Sequence, residues 1–321
     1  MNLASEAQRL TLDVLAVDVS GCLQRAGIPH ALLKGPSTAA WLYDPPRRYG
    51  DVDVLVPLSR VHQVRTVLES AGLAYARAGE VGEEARHSLL MLSPAEGEVD
   101  VHISLHAALP PDGDRIWEVL APHVEALDLG IGTVPALDEP ARCLMLALHA
   151  LAGRVSGRAP EDLRRALAVT ASDRWSEARE LARALDAEDL FLAGLSSVGA
   201  GPPRTVLSRR ACLNLIDAPN EALALQRLRD TPGRDLPKLL WREIFPTRGF
   251  MRHAYPDARR PITLIWMYAV RWRRIGANLP SAIRVWRELA RPEARTRLDQ
   301  HAVRSKAKSS TTERIPAVSP D

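Results

Sequence analysis

Apolar and polar residues alternate along the first part of the chain in patterns that predict both helices and strands. Residues 5–26 carry apolar side chains at helical spacing and end at Gly27, a usual position for a helix C-cap. Residues 58–71 predict a second helix, which stops at Gly72. Short strands are expected near residues 30–33, 51–56, 73–76, 87–92 and 98–105. The mixture predicts an α+β fold with a small mixed β-sheet.

Helical spacing dominates after Pro140, and little strand signal remains. Helices are predicted over residues 141–152, 160–170, 173–184 and 187–198. We therefore expect an α+β domain over residues 1–138 and a helical domain over residues 139–290. Residues 291–321 are rich in Arg, Lys, Ser, Thr and Pro and predict a disordered basic tail.

Composition is typical of a folded protein, because 321 residues with 46% apolar side chains can bury a sizeable core. Cys22, Cys143 and Cys212 are odd in number and far apart, which fits neither a disulfide framework nor a zinc site. The first residues are polar, and no apolar run reaches membrane-spanning length. We expect a cytoplasmic protein without stable membrane insertion.

Charge is distributed unevenly along the chain. Residues 1–240 carry 25 basic and 32 acidic side chains, a net of −7, whereas residues 241–321 carry 17 basic and 7 acidic, a net of +10. Aromatic residues interleaved with arginines in the basic part could contact a nucleic acid or an anionic membrane surface. We favour the interpretation that Trp266, Tyr268 and Trp272 cover the helical core while the arginines face water.

Two aspartates in the predicted strand at residues 51–56 are the strongest chemical signal. Side chains alternate along a strand, so Asp51 and Asp53 project from one face while Val52 and Val54 enter a core. Like charges at that spacing repel unless a cation lies between them or solvent surrounds them. Magnesium is the natural cation because it prefers carboxylate oxygens, water and substrate phosphates.

A third acidic residue lies in the predicted strand over residues 98–105. Asp100 and His102 share one face of this strand, and Asp100 can complete a carboxylate triad. The turn at residues 93–97 predicts a hairpin with the apolar run before it. The alternative is a solvated strand end whose acidic residues merely discourage edge pairing.

The Lys34-Gly35 turn, the Asp-x-Asp strand and the later Val-Asp-Val-His strand together resemble the uncharacterised nucleotidyltransferase family of the polymerase-beta-like superfamily. The resemblance covers roughly the first half of the chain. It implies that residues 1–138 form the catalytic domain. It also implies that Asp51, Asp53 and Asp100 bind Mg²⁺ or Mn²⁺, with Asp100 activating the attacking hydroxyl. His102 either touches substrate or donates a hydrogen bond to a carboxylate.

The same resemblance implies a nucleotide-binding set, which consists of Lys34, Gly35, Ser37, Arg47 and Arg48. The chain departs from the commonest turn of the superfamily because Pro36 supplies no backbone N–H for a phosphate oxygen. Lys34 could compensate with a point charge on the β- or γ-phosphate, and Ser37 opens the helix that follows.

The implied reaction is transfer of a nucleoside monophosphate from a nucleoside triphosphate such as ATP, with release of pyrophosphate. The acceptor stays open among a small hydroxylated molecule, a peptide or protein hydroxyl, and an RNA end. Two other functions stay open. One is a catalytically silent nucleotide-binding or scaffold protein of the same fold, and the other is a nucleic-acid-binding protein that uses the basic C-terminal region.

Overall fold

A computed structural model describes residues 3–75, 88–94, 97–105, 114–152, 158–202, 207–215, 220–245 and 261–291. Its strands are β1 (Ala31–Leu32), β2 (Asp51–Leu55), β3 (Ala74–Tyr75), β4 (Ser88–Ser93), β5 (Gly97–His102), β6 (Val124–Asp128) and β7 (Thr133–Leu137). Its helices in the first part are α1 (Leu3–Arg25), α2 (Pro36–Leu42), α3 (Val61–Ser70) and α4 (Arg115–Leu120). The later helices are α5 (Glu139–Ala152), α6 (Arg158–Val169), α7 (Ser172–Ala184), α8 (Glu188–Ser196), α9 (Arg209–Leu215), α10 (Asn220–Asp230), α11 (Leu236–Ile244) and α12 (Pro261–Glu288).

The strands form one mixed sheet in the order β3-β4-β5-β2-β1-β7-β6. Strand β2 runs parallel to β5 and antiparallel to β1, and β1 runs parallel to β7. The hairpin predicted around residues 93–97 is confirmed, because β4 and β5 pair antiparallel in register up to Ser93 and Gly97. Both central strands that carry aspartates therefore lie side by side in the interior of the sheet.

Each face of the sheet packs against its own hydrophobic core. Helices α1 and α3 cover the face that carries Val52 and Val54, and their contact residues include Leu12 and Val64. The opposite face contributes Leu55 and other apolar residues to a second core, which also contains residues of α5 to α8. Because Asp51 and Asp53 share the parity of Leu55, the two acids lie on the side of the sheet covered by the later helices.

The predicted fold class is confirmed, since a mixed sheet is followed by a helical region. Strands β6 and β7 were not predicted. Pro135 interrupts the strand signal of β7, and the outermost strand β6 exposes most of its residues. Their sequences, Val-Glu-Ala-Leu-Asp and Thr-Val-Pro-Ala-Leu, therefore lack the regular alternation of apolar and polar residues that predicts a half-buried strand.

Helix α12 corrects one interpretation of the basic region. Trp266 is 65% exposed and Trp272 is 43% exposed, so neither covers a helical core. The helix also continues through Pro280 rather than breaking there. The domain boundaries stay predictions, and the predicted tail from residue 292 onward lies outside the described residues. Within the described ranges, no helix combines the length and apolar character needed to cross a membrane.

Candidate active site

The parallel pairing of β2 and β5 determines the geometry of the site. Asp53 lies opposite Asp100 in the register, and Leu55 lies opposite His102. Since side chains alternate along each strand, the carboxyl groups and the imidazole project from one face. Asp53 is 1% exposed and His102 is 6% exposed, whereas Asp100 is partly exposed. The buried part of the site is therefore built by residues whose positions are determined by a strand ladder.

A sharp turn after β1 brings Lys34 to the same place. The backbone N–H of Leu33 donates to the carbonyl of Asp53 at 3.0 Å, which continues the pairing of β1 and β2 by one residue. Gly35 then adopts a φ of 66°. A Cβ atom on Gly35 would lie 3.1 Å from the Asp51 carbonyl, so glycine satisfies both the left-handed conformation and the close approach. The turn aims Lys34 at Asp53, with 2.9 Å between Nζ and Oδ1.

His102 joins the two carboxylates of the neighbouring strands. Its Nε2 lies 2.7 Å from Oδ1 of Asp53 and 3.1 Å from Oδ2 of Asp100. Burial alone would lower the pKa of His102, but the hydrogen bonds to Asp100 and Asp53 outweigh it and raise the pKa to about 9. The imidazole is thus held in its charged form by the two acids.

Asp53 has two cationic neighbours, and these decide its charge state. Burial favours the neutral acid, but the hydrogen bond from His102 and the charge of Lys34 outweigh burial and lower the pKa of Asp53. Desolvation lowers the pKa of Lys34, but the attraction of Asp53, together with the charges of Asp51 and Asp100, outweighs it and raises the pKa. Asp53 is therefore an ionised carboxylate within the protein interior.

Asp51 lies in a different environment two residues earlier on the strand. Desolvation, together with the nearby charge of Asp53, raises the pKa of Asp51 to about 6. The residue is partly exposed, and its strand partner is Glu98. Two aspartates that looked equivalent in the sequence therefore have pKa values shifted in opposite directions, since only Asp53 contacts both Lys34 and His102.

One ligand atom each of Asp53, Asp100 and His102 lies within 4.8 Å of the other two. The two carboxylates would hold a divalent cation, whereas His102 in its charged form has no lone pair at Nε2 and instead bridges them. Carboxylate oxygens are the usual protein ligands of Mg²⁺ and Mn²⁺, while an imidazole nitrogen is more typical of transition-metal sites. This cluster contains two of the three acids predicted as metal ligands, together with His102, and Asp51 lies beside it.

The predicted nucleotide-binding residues do not all converge on this cluster. Arg47 directs its NH2 group to Asp162 of α6 at 2.6 Å, whereas the side chain of Arg48 is exposed. Ser37 is fully buried, and its hydroxyl donates to the carbonyl of Lys34 at 3.4 Å. Lys34 and Gly35 thus lie next to Asp53 and Asp51, whereas the Ser37 side chain is buried beneath the turn.

Asp162 is a residue of this neighbourhood that sequence reasoning did not assign to the site. It is 3% exposed and accepts hydrogen bonds from Arg47 and from the hydroxyl of Tyr43. The guanidinium of Arg165 lies 4.5 Å from the centre of the Tyr43 ring. A contact across 115 residues leaves no local sequence signal, so only the folded chain shows that α6 holds the loop between α2 and β2.

A mixed sheet that carries acids on two adjacent strands beside a glycine turn places this protein in the nucleotidyltransferase class. The chain belongs to the uncharacterised nucleotidyltransferase family, which matches residues 2–199. It is accordingly an enzyme that transfers nucleotidyl groups. No curated protein matches the chain.

Three solved structures share a limited likeness. The antibiotic-resistance factor ANT(2'')-Ia is 14% identical, with 57% of this chain and 95% of that chain covered and a TM-score of 0.37. A nucleotidyltransferase-like protein from Paracoccidioides brasiliensis is 16% identical, with 60% and 93% covered and a TM-score of 0.38. The lincosamide antibiotic adenylyltransferase LnuA is 15% identical, with 46% and 91% covered and a TM-score of 0.33. At these TM-scores the likeness carries no argument about substrate.

Proposed function

We propose that this enzyme transfers a nucleoside monophosphate from a nucleoside triphosphate to a hydroxyl acceptor and releases pyrophosphate, with Mg²⁺ or Mn²⁺. The observation that carries the proposal is the convergence of the Asp53 and Asp100 carboxylates, which His102 bridges, next to the ammonium group of Lys34. A carboxylate cluster beside a cation suits a substrate that arrives as a metal-bound polyphosphate.

Asp53 and Asp100 are the carboxylates that would hold the metal, with Asp51 as the third. When bound, the ion supplies charge stabilisation to the phosphate oxygens during the transfer. His102 contacts both Asp53 and Asp100, so its role is to position these carboxylates. The buried hydrogen bonds of the imidazole restrict the rotamers of both acids before substrate arrives.

The acceptor hydroxyl attacks the α-phosphorus, an O–P bond forms, and the bond to the departing β-phosphate breaks. Asp100 takes the hydroxyl proton, because it is the most exposed member of the cluster and can reach a substrate. Lys34 neutralises charge that develops on the pyrophosphate. Arg48, in the loop between α2 and β2, faces solvent and is the second cation that we propose for binding the triphosphate.

Arg47 has a different proposed role from that of Arg48. Its ion pair with Asp162 ties the loop before β2 to α6, and its guanidinium lies 5.4 Å from the ring centre of Tyr43 in the same loop. This loop leads directly into Asp51 and Asp53. Arg47 is therefore proposed to position the start of β2, and with it the two aspartates, in addition to any hydrogen bond that it donates to a phosphate.

The test uses each α-labelled nucleoside triphosphate with Mg²⁺ or Mn²⁺ and a host-cell extract as the source of acceptors. Label transfer and pyrophosphate release should occur with the wild type and disappear in Asp53→Ala/Asp100→Ala. Asp18→Ala removes an exposed carboxylate of α1 and should keep full activity. Transfer that persists in the double variant would refute the assignment of these acids. Triphosphate binding without transfer in the wild type would favour the silent nucleotide-binding alternative.

A further inference from the structure

The surface formed by α11 and the first half of α12 exposes apolar side chains that a folded protein normally buries. Trp241 is 65% exposed, and Ile265 is 72% exposed. The exposed apolar residues of this surface, which we call the aromatic tip, are Leu240, Trp241, Ile244, Phe245, Ile265, Trp266, Val270 and Trp272. An exposed apolar cluster of this size marks an interaction surface more often than an isolated side chain does.

Ring contacts join the two helices into one surface. The ring of Phe245 lies 4.4 Å from that of Trp241 and 5.3 Å from that of Trp272, centre to centre. The indole N–H of Trp272 donates to the carbonyl of Ile244 at 2.9 Å. These contacts hold the exposed side chains of α11 in a defined position against α12, so the aromatic tip is a single ordered surface.

Helix α11 presents its apolar stripe outward. Leu240, Trp241 and Ile244 recur at helical spacing and are all exposed. Glu243, which lies between them in sequence, points away and pairs with Arg227 of α10 at 2.8 Å. An amphipathic helix whose apolar stripe faces outward needs a partner to cover that stripe.

Helix α12 separates apolar and charged residues along its axis. The outward positions Ile265, Trp266 and Val270 are apolar, and the exposed Arg273 and Arg274 follow within the next turn. The rise from Ile265 to Arg273 is about 12 Å along the helix axis, at roughly 1.5 Å per residue.

Charge favours an anionic partner. Residues 236–245 and 261–274, which form the aromatic tip, carry five basic side chains and one acidic one, Glu243, which pairs with Arg227. We propose that the aromatic tip docks on an anionic lipid surface, with the tryptophans at the level of the head groups and the arginines against lipid phosphates. This peripheral contact is independent of the proposed transfer reaction.

Two other occupants fit the surface less well. A single-stranded nucleic acid uses aromatic platforms with arginines on the same face, whereas this face mixes indoles with Leu240, Ile244 and Val270, which offer no stacking surface. An acidic protein partner would not require the apolar residues and the arginines to separate along the helix axis. A lipid bilayer shows the same separation, because its apolar acyl chains and its charged head groups lie at different depths.

The test measures sedimentation of the full chain with phosphatidylcholine vesicles that contain or lack phosphatidylglycerol. Binding is expected only with phosphatidylglycerol and should weaken as salt is raised. Arg273→Gln and Arg274→Gln should each reduce the partition coefficient about five-fold, and the pair about 25-fold. Trp241→Ser/Trp266→Ser should reduce it at least about ten-fold because both side chains lose their interfacial burial.

The matched control is Leu10→Ser/Val169→Ser, which replaces two exposed apolar residues outside the aromatic tip. It should bind vesicles as the wild type does. Equal binding to both vesicle types, or vesicle binding that survives in the arginine and tryptophan variants, would overturn the proposal. A wild-type dimer that becomes monomeric in Trp241→Ser/Trp266→Ser, without vesicle binding, would identify the surface as a subunit interface. Salt-sensitive RNA binding without vesicle binding would equally overturn it.

Discussion

Asp51 and Asp53 share one strand face, yet their replacement by asparagine should change stability in opposite directions. The state to test is the metal-free protein, in EDTA. Oδ1 of Asp53 lies 2.9 Å from Nζ of Lys34 and 2.7 Å from Nε2 of His102. Asp51 makes neither of these ion pairs, and the charge of Asp53 disfavours its ionisation. Asp53→Asn should therefore destabilise the fold, and Asp51→Asn should stabilise it.

The gain for Asp51→Asn follows from the pKa of the wild-type carboxyl. Folding raises this pKa from 3.8 to about 6, so the carboxyl lowers stability progressively as pH rises from about 4 to 6, and the full penalty applies above about pH 6. One pKa unit corresponds to about 1.4 kcal/mol, which gives an upper value of about 3 kcal/mol. Partial exposure screens part of this, and we expect a gain of about 1–3 kcal/mol at pH 8.

The loss for Asp53→Asn follows from the two cations that it leaves behind. Removing one partner of a buried ion pair costs about 3–5 kcal/mol. The lower end applies because Lys34 is 21% exposed at its side chain and His102 keeps Asp100. The pKa of Asp53 is lowered in the folded protein, so this stabilisation is complete at neutral pH and is lost only in strong acid.

Urea unfolding followed by circular dichroism at pH 8.0 measures both changes, with Asp18→Asn as a control for net charge. The gain of Asp51→Asn should fall to about a third at pH 4.5, because the wild-type carboxyl is then protonated in the folded state. Destabilisation by both substitutions, or stabilisation by both, would refute the environments assigned to the two acids. Loss of transfer activity in both variants would show that Asp51 is retained for function against its effect on stability.

Three further substitutions test neighbouring features. Gly35→Ala should reduce transfer and destabilise by more than the about 1–2 kcal/mol expected for a positive φ alone, because the added Cβ also meets the Asp51 carbonyl. Gly130→Ala has open space and should show only the strain of its φ, and thermal unfolding compares the two variants. Asp162→Asn should destabilise by about 3 kcal/mol and raise the KM for the triphosphate, since Arg47 loses its partner. Steady-state kinetics measure this KM, and an unchanged value would contradict the role assigned to Arg47. Burial lowers the pKa of His30, so the free energy of unfolding decreases as pH falls below about 6.5. Between pH 7.5 and 5.0, His30→Gln should therefore lose less of its free energy of unfolding than the wild type does.

The sequence predicted those parts of the site that depend on local periodicity. Asp53, Asp100 and His102 meet because two strands alternate with a period of two residues, and that period is visible in the sequence. The difference between Asp51 and Asp53 was not visible. It depends on the turn at Gly35, which brings Lys34 to one carboxylate and away from hydrogen-bonding distance of the other.

Contacts between distant segments explain what the sequence did not predict. Arg47 and Asp162 are 115 residues apart, and nothing in either neighbourhood specifies the other. Strand β7 pairs with β1 through Leu32 and Ala136, so its existence depends on a distant partner rather than on its own alternation. Such elements are stabilised by tertiary pairing that overrides weak local preference.

The exposed tryptophans of α12 illustrate the same limit for a functional surface. Its first half carries apolar residues at positions that face α11 and at positions that face outward, so periodicity alone could not decide which stripe is buried. The contact of Trp272 with α11 decides it, because this contact fixes the rotation of the helix and leaves Ile265, Trp266 and Val270 outside. If vesicle binding follows these residues, the basic region acts in locating the enzyme, while the strand carboxylates act in the transfer itself.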